Sequence, residues 1–171
     1  VIKTAFLVMG VQSSGTRLLT RILMAGGCVG SGVHHQVFDT VEPTSTVIVM
    51  RRHYPTFMRP AWAKSENIIT SLEAIGYSVR ALIITRDWHS MTQSQLAAPH
   101  ADSYEAAREM SQAVWRRIFV EMPANTDFMT VSYEALVQRP LPTIARIFDY
   151  LGLKQVHAIE AIADGNEKYY E

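Results

Sequence analysis

Gly10 and Gly15 bracket four residues, and Ser13, Ser14, Thr16 and Arg17 gather hydroxyls and a cation where an apolar run gives way to an amphipathic one. That order reads as a strand, a small-residue turn and the first turn of a helix. Unpaired N–H groups and the helix dipole favour an anion at such a place, so the chemistry expected of Gly10, Ser13, Ser14, Gly15, Thr16 and Arg17 is phosphate binding. The glycine spacing matches the nucleotide-triphosphate loop G-x-x-x-x-G-K-[ST], but Thr16 stands at its lysine and Arg17 at its magnesium-binding hydroxyl. The cradle is present without the parts specific to ATP.

A second anchor is expected from ALIITRDWHSMTQSQ, where a buried strand ends in Arg86 and Ser94 follows on a helix. An arginine fork suits phosphate oxygens, which favours anion binding over a plain salt bridge at the strand end. His34 and His35 sit together in the loop VHHQVFD, as residues for acid and base work, and only one can point inward if the backbone is extended. Glu42, His53 and His89 are reserves. Cys28, His34 and His35 lack a ligand spacing, so no metal is expected there. Asp87 reads as a cap for the helix beginning at Trp88; an acidic residue at the end of a buried strand can also hold magnesium, but the lost lysine argues against that use. Arg51, Arg52 and His53 follow the apolar run TVIVM and form a basic cluster at that strand's end, where ligands of open α/β sheets bind.

The elements that position these groups follow from pattern. Residues 3–9 and 79–85 are continuous apolar runs suited to strands buried on both faces, with further strands at 46–50 and 128–133. Helices are expected from about Gly15 to Ala25, from Ser65 to Gly76, around Ser94, from a Ser103 cap to about Glu121, and after Pro140 and Pro142 as far as Gly152, with a last helix from about His157. Alternating strands and helices call for a three-layer α/β domain with a parallel sheet and right-handed crossovers, occupying all of 1–171.

The segment SSGT at 13–16, the pair Arg86 and Ser94, and the run VSYEALVQRPLPTIARIFDYLGL resemble, in that order, sulfotransferases that use 3′-phosphoadenosine 5′-phosphosulfate. The resemblance implies a P-loop NTPase-like fold and a sulfuryl transfer to the hydroxyl or amine of an acceptor, leaving 3′,5′-adenosine bisphosphate. It further implies that the first loop holds the 5′-phosphosulfate, that Arg86 and Ser94 hold the 3′-phosphate, and that Tyr133 lies near the adenine. A histidine, His34 or His35, would take the acceptor's proton, with Arg17 stabilising charge on the departing phosphate. Three departures stand out: Ser13 where most members carry a cation, Leu18 where an aromatic ring often stacks on adenine, and no C-terminal Arg-Lys-Gly segment. The alternatives are a small magnesium-dependent kinase using Asp87 and Arg17, and a non-catalytic nucleotide-binding module.

Composition bounds the rest. The chain has 171 residues, 48% of them hydrophobic, enough for one domain with a sizeable core. Zero formal net charge gives no argument for a nucleic-acid or membrane partner. The single cysteine excludes an intramolecular disulfide, and no run approaches the roughly 20 apolar residues of a membrane span, so a cytoplasmic protein is expected. The chain begins at Val1 rather than methionine, which is compatible with removal of upstream residues.

Overall fold

The computed structural model describes residues 3–30, 47–54, 65–154 and 162–169. Five strands form one sheet: β1 (Lys3–Val11), β2 (Val29–Gly30), β3 (Val47–Tyr54), β4 (Tyr77–Thr85) and β5 (Asp127–Ser132). Their order is β2-β3-β1-β4-β5 and every pairing is parallel. The helices are α1 (Thr16–Ala25), α2 (Ser65–Ala74), α3 (Trp88–Ala97), α4 (Tyr104–Glu121), α5 (Tyr133–Gln138) and α6 (Pro140–Leu151).

β1 is central because both its faces are apolar. Alternate side chains point to opposite layers, so Leu7, Met9 and Val11 pack with Ile69 and Leu72 of α2 and Val114 and Ile118 of α4. Phe6 and Val8 pack on the other side with Leu19 and Leu23 of α1 and Ile147 and Phe148 of α6. This is the expected three-layer arrangement. It brings the C-terminal ends of β1 and β4, and hence the Gly10 loop and Arg86, to the same edge of the sheet.

Several boundaries differ from the sequence expectation. β3 continues through Arg51, Arg52 and His53 to Tyr54 because β1 keeps pairing with it as far as Val11↔Tyr54, so the basic residues lie within the strand rather than beyond it. Gly30 pairs with Val49 as part of a two-residue strand beyond the four expected from pattern. Tyr133 does not end a strand. It opens α5, because the Ser132 hydroxyl accepts from Ala135 N at 3.1 Å and caps a new helix. The expected caps Asp87 and Ser103 do accept from the first-turn amides of α3 and α4. Of the expected last helix, residues 155–161 lie outside the described residues, and the segment 162–169 carries a single 3-10 turn at Glu167–Tyr169.

Candidate functional site

The chain turns sharply after β1. Ser14 N donates to the Val11 carbonyl at 3.0 Å, and two residues adopt left-handed backbone angles, Ser13 at φ 69° and Gly15 at φ 100°. Gly15 suits its angle because it has no Cβ. α1 then starts at Thr16 with no side chain capping its N-terminus and no acidic residue in its first turn. No side chain of the helix thus offsets the positive end of its dipole, which favours an anion there. Gly10 is required for a different reason: a Cβ there would collide with Ser14 Oγ. Ser14 is fully buried, and its hydroxyl has no hydrogen-bond partner among the described residues. A buried orphan hydroxyl costs about 1–3 kcal/mol, a cost that an oxygen-rich anion seated in the loop would relieve.

Two side chains hold the loop from behind. Gln95, fully buried on α3, donates from Nε2 to the Gln12 carbonyl at 3.0 Å and is itself fixed by Ser111 of α4. Arg86 donates from Nη1 to the Ser13 carbonyl at 2.8 Å. Each trans peptide is planar, so fixing a carbonyl also fixes the N–H that follows it on the opposite side. The loop is therefore preorganised by α3 and by the end of β4.

Arg86 has further partners. Nε donates to Asn166 Oδ1 at 2.7 Å and Nη2 to the Gly165 carbonyl at 3.1 Å, while the guanidinium lies 4.6 Å from the centre of the Tyr133 ring. The Tyr133 hydroxyl accepts from Gly165 N at 2.8 Å, and its ring borders Gly15. Ser94 lies beside the Tyr169 side chain. Burial alone would raise the Tyr169 pKa, but Ser94, Lys168 and the charge of Arg86 outweigh it and bring the phenol below its ordinary value. Arg86 thus joins the loop, Tyr133 and residues 165–166, while Ser94 meets Tyr169 of the same last segment.

Between α1 and this last segment is a cavity of about 570 Å³, walled by Leu18, Ile22 and Tyr133, with Arg21, Asp164 and Gly165 at its polar margin. Its size and apolar walls suit a nucleoside base. Arg17 is exposed at the start of α1. Arg51 of β3 is half-buried beside it: desolvation, and then the charges of Arg17 and Arg21, hold the Arg51 pKa below its usual range. Asp87 is accounted for by capping, since its carboxylate accepts from both N and Oγ of Ser90 at 2.8 Å, bonds that lower its pKa. His89 lies on α3 with its ring 6.3 Å from that of Tyr104. His34, His35 and Glu42 lie outside the described residues, and of His53 only the backbone is described, level with Gly10 in β3. No three His, Cys, Asp or Glu side chains among the described residues converge as a metal site. No described helix is long and apolar enough to cross a membrane.

Gln95, Glu134 and Asn166 were not singled out in the sequence. Asp164-Gly165-Asn166 carries a turn signal, and Asp164 Oδ1 does accept from Asn166 N at 2.8 Å. Nothing local marks Gln95 as a partner of the loop, or Glu134 and Asn166 as the support of Arg86.

The sheet order, the glycine loop after β1 and the helices on both faces define the α/β phosphate-loop fold found in sulfotransferases. The sulfotransferase domain of the Synechococcus PCC 7002 olefin synthase superposes with a TM-score of 0.59 at 13% identity, covering 99% of this chain and 84% of that one. Mouse sulfotransferase SULT7A1, solved in complex with PAP, gives 0.58 at 13% identity over 92% of this chain and 61% of its own, so the present chain spans under two thirds of that enzyme. A sugar kinase from Janibacter sp. HTCC2649 gives 0.52 at 11% identity, covering 94% and 99%. No family model and no curated protein matches the sequence.

Proposed function

We propose that this chain binds 3′-phosphoadenosine 5′-phosphosulfate and transfers its sulfuryl group to a hydroxyl or amine of an acceptor. A single observation carries the reading: Arg86 is bonded both to the phosphate loop, through the Ser13 carbonyl, and to Gly165, which lines a cavity of nucleoside size. A nucleoside triphosphate presents its phosphates in one line, whereas the bisphosphate nucleotide needs two separate anion sites, one on each side of its ribose. The likeness to both sulfotransferases and a kinase reflects the fold they share, so the residues must decide between them. Thr16 in place of lysine and Asp87 engaged as a cap speak against magnesium-ATP chemistry.

The donor supplies an activated sulfuryl group bonded to the nucleotide's 5′-phosphate. Gly10, Ser13, Ser14, Gly15 and Thr16 cradle that end, with Ser14 Oγ and the α1 amides bonding its oxygens and Arg17 adding the positive charge that Ser13 does not. Arg86 and Ser94 bind the 3′-phosphate, and Tyr133 and Leu18 border the base. His34 or His35 holds the acceptor's proton.

The test is calorimetry of 3′,5′-adenosine bisphosphate and 5′-AMP on wild type and Arg86→Ala. A charge-assisted bond is worth about 1.5–3 kcal/mol, so the bisphosphate should weaken by about 10- to 150-fold. 5′-AMP should lose only the few-fold that comes from loosening the Ser13 carbonyl. Equal losses for the two nucleotides would overturn the assignment.

A further inference from the structure

Asn166 is almost fully buried, at 1% exposure, in a segment otherwise partly open to solvent. Buried amides persist only where both ends are bonded, and this one is. Its Oδ1 accepts from Arg86 Nε at 2.7 Å, and its Nδ2 donates to Glu134 Oε1 at 3.3 Å. Glu134 is anchored in turn, accepting from Asp87 N at 2.6 Å and from Ser132 Oγ at 2.9 Å. The chain of bonds runs from the ends of β4 and β5 through Glu134 and Asn166 to Arg86, and from Arg86 Nη1 to the phosphate loop.

The direction of these bonds matters. Asn166 Oδ1 and the Gly165 carbonyl take the Nε and Nη2 side of the guanidinium, and Ser13 takes one Nη1 hydrogen. Arginine carries five N–H donors in a rigid plane, so fixing that side aims the remaining Nη hydrogens. The guanidinium also rests over the Tyr133 ring, 4.6 Å from its centre. An arginine with a flexible stem otherwise loses much rotamer entropy when it binds phosphate.

We infer that Asn166 is a positioning residue: it and Glu134 hold Arg86 in the orientation that reads a 3′-phosphate, so the C-terminal segment sets the preference for 3′-phosphorylated nucleotides. The inference rests on the nucleotide reading above for its ligand, but not for its geometry. Because Asn166 touches Arg86 and not the base cavity, its removal should act through Arg86 alone.

The experiment is a double-mutant cycle with Asn166→Ala and Arg86→Ala, reading the affinities of 3′,5′-adenosine bisphosphate and 5′-AMP. Asn166→Ala should weaken the bisphosphate about 10-fold and 5′-AMP less than about twofold, and should have no further effect once Arg86 is alanine. A residue that merely stabilises the fold would weaken both nucleotides alike and add to Arg86→Ala, which would overturn the inference. Asn166→Asp, nearly isosteric, keeps the fold testable should alanine unfold it. Its carboxylate would face Arg86 Nε and should selectively lower bisphosphate affinity, again about 10-fold, whereas parallel losses for the two nucleotides would contradict the proposal. A ligand-free readout separates this idea from the nucleotide reading. The Arg86 Nε–Hε signal in ¹⁵N NMR, assigned by its loss in Arg86→Lys, should be sharp and exchange-protected in wild type and broadened in Asn166→Ala. If it is unchanged in that variant, the inference fails whatever the protein binds; if it broadens but wild type ignores the bisphosphate, the nucleotide reading fails instead.

Discussion

Gly15→Ala puts a methyl group between the phosphate loop and the residue that links it to Arg86. Two costs add. The backbone at Gly15 has φ 100° and ψ 14°, and an L-residue in the left-handed region costs about 1–2 kcal/mol. The new Cβ would also stand 2.8 Å from Tyr133 Cδ2 and 3.2 Å from Ile84 Cδ1. Neither neighbour can easily withdraw: Ile84 is fully buried, and Tyr133 is held by the Gly165 amide at its hydroxyl and by the Arg86 guanidinium over its ring. Overpacking of this kind costs about 1–3 kcal/mol, for a total of about 2–5 kcal/mol. Gly27→Ala is the matched control, since its φ is 94° but a Cβ there meets nothing within 4 Å, so it should carry only the conformational cost of about 1–2 kcal/mol. Urea unfolding of both variants should therefore show Gly15→Ala less stable by about 1–3 kcal/mol. Nucleotide affinity should fall in Gly15→Ala alone. If the two variants lose the same stability, Tyr133 is not wedged against the loop and the packing argument for Gly15 collapses.

Gln95→Ala should cost about 1–3 kcal/mol in the same assay, because it leaves the Gln12 carbonyl and the buried Ser111 hydroxyl short of a partner, and calorimetry should show weaker nucleotide binding; unchanged affinity would mean the loop holds its shape without α3. Burial pushes the Cys28 thiol up to about 11. The folded pKa thus lies above that of the unfolded chain, and the stability linked to it is complete below about pH 8.5 and lost as pH climbs toward 11. Urea melts across that range should show the stability difference between wild type and Cys28→Ala moving against wild type above about pH 9, and a difference constant with pH would refute the buried, neutral thiol.

The phosphate loop could be read from sequence because strand, turn and helix are contiguous there, and each signal is local: an apolar run, small residues with glycines, then an amphipathic period. Arg86 was legible for a related reason, since it ends an apolar run and is followed at once by a capping aspartate. The end of β3 was not, because Arg51, Arg52 and His53 look like loop residues, and only pairing with β1 shows that the strand continues past the two residues covered by β2. Tyr133 was located in sequence, but its helix was hidden by its shortness: α5 is 6 residues long, too few for a hydrophobic period to register. Gln95 gave no signal, and Asn166 only that of a turn. A polar residue in a helix or a charged tail reads as solvent-facing, and burial among partners 83 and 80 residues distant in sequence is a property of the tertiary fold.

The central claim, two anion sites on either side of one nucleoside, is tested most directly by comparing 3′,5′-adenosine bisphosphate with magnesium-ATP in a thermal-unfolding experiment, each with and without EDTA. At about 100 times its dissociation constant the bisphosphate should stabilise the chain by about 2.7 kcal/mol, with EDTA making no difference and magnesium-ATP giving a smaller shift. A larger shift with magnesium-ATP that EDTA abolishes would contradict the account and point to phosphoryl rather than sulfuryl transfer.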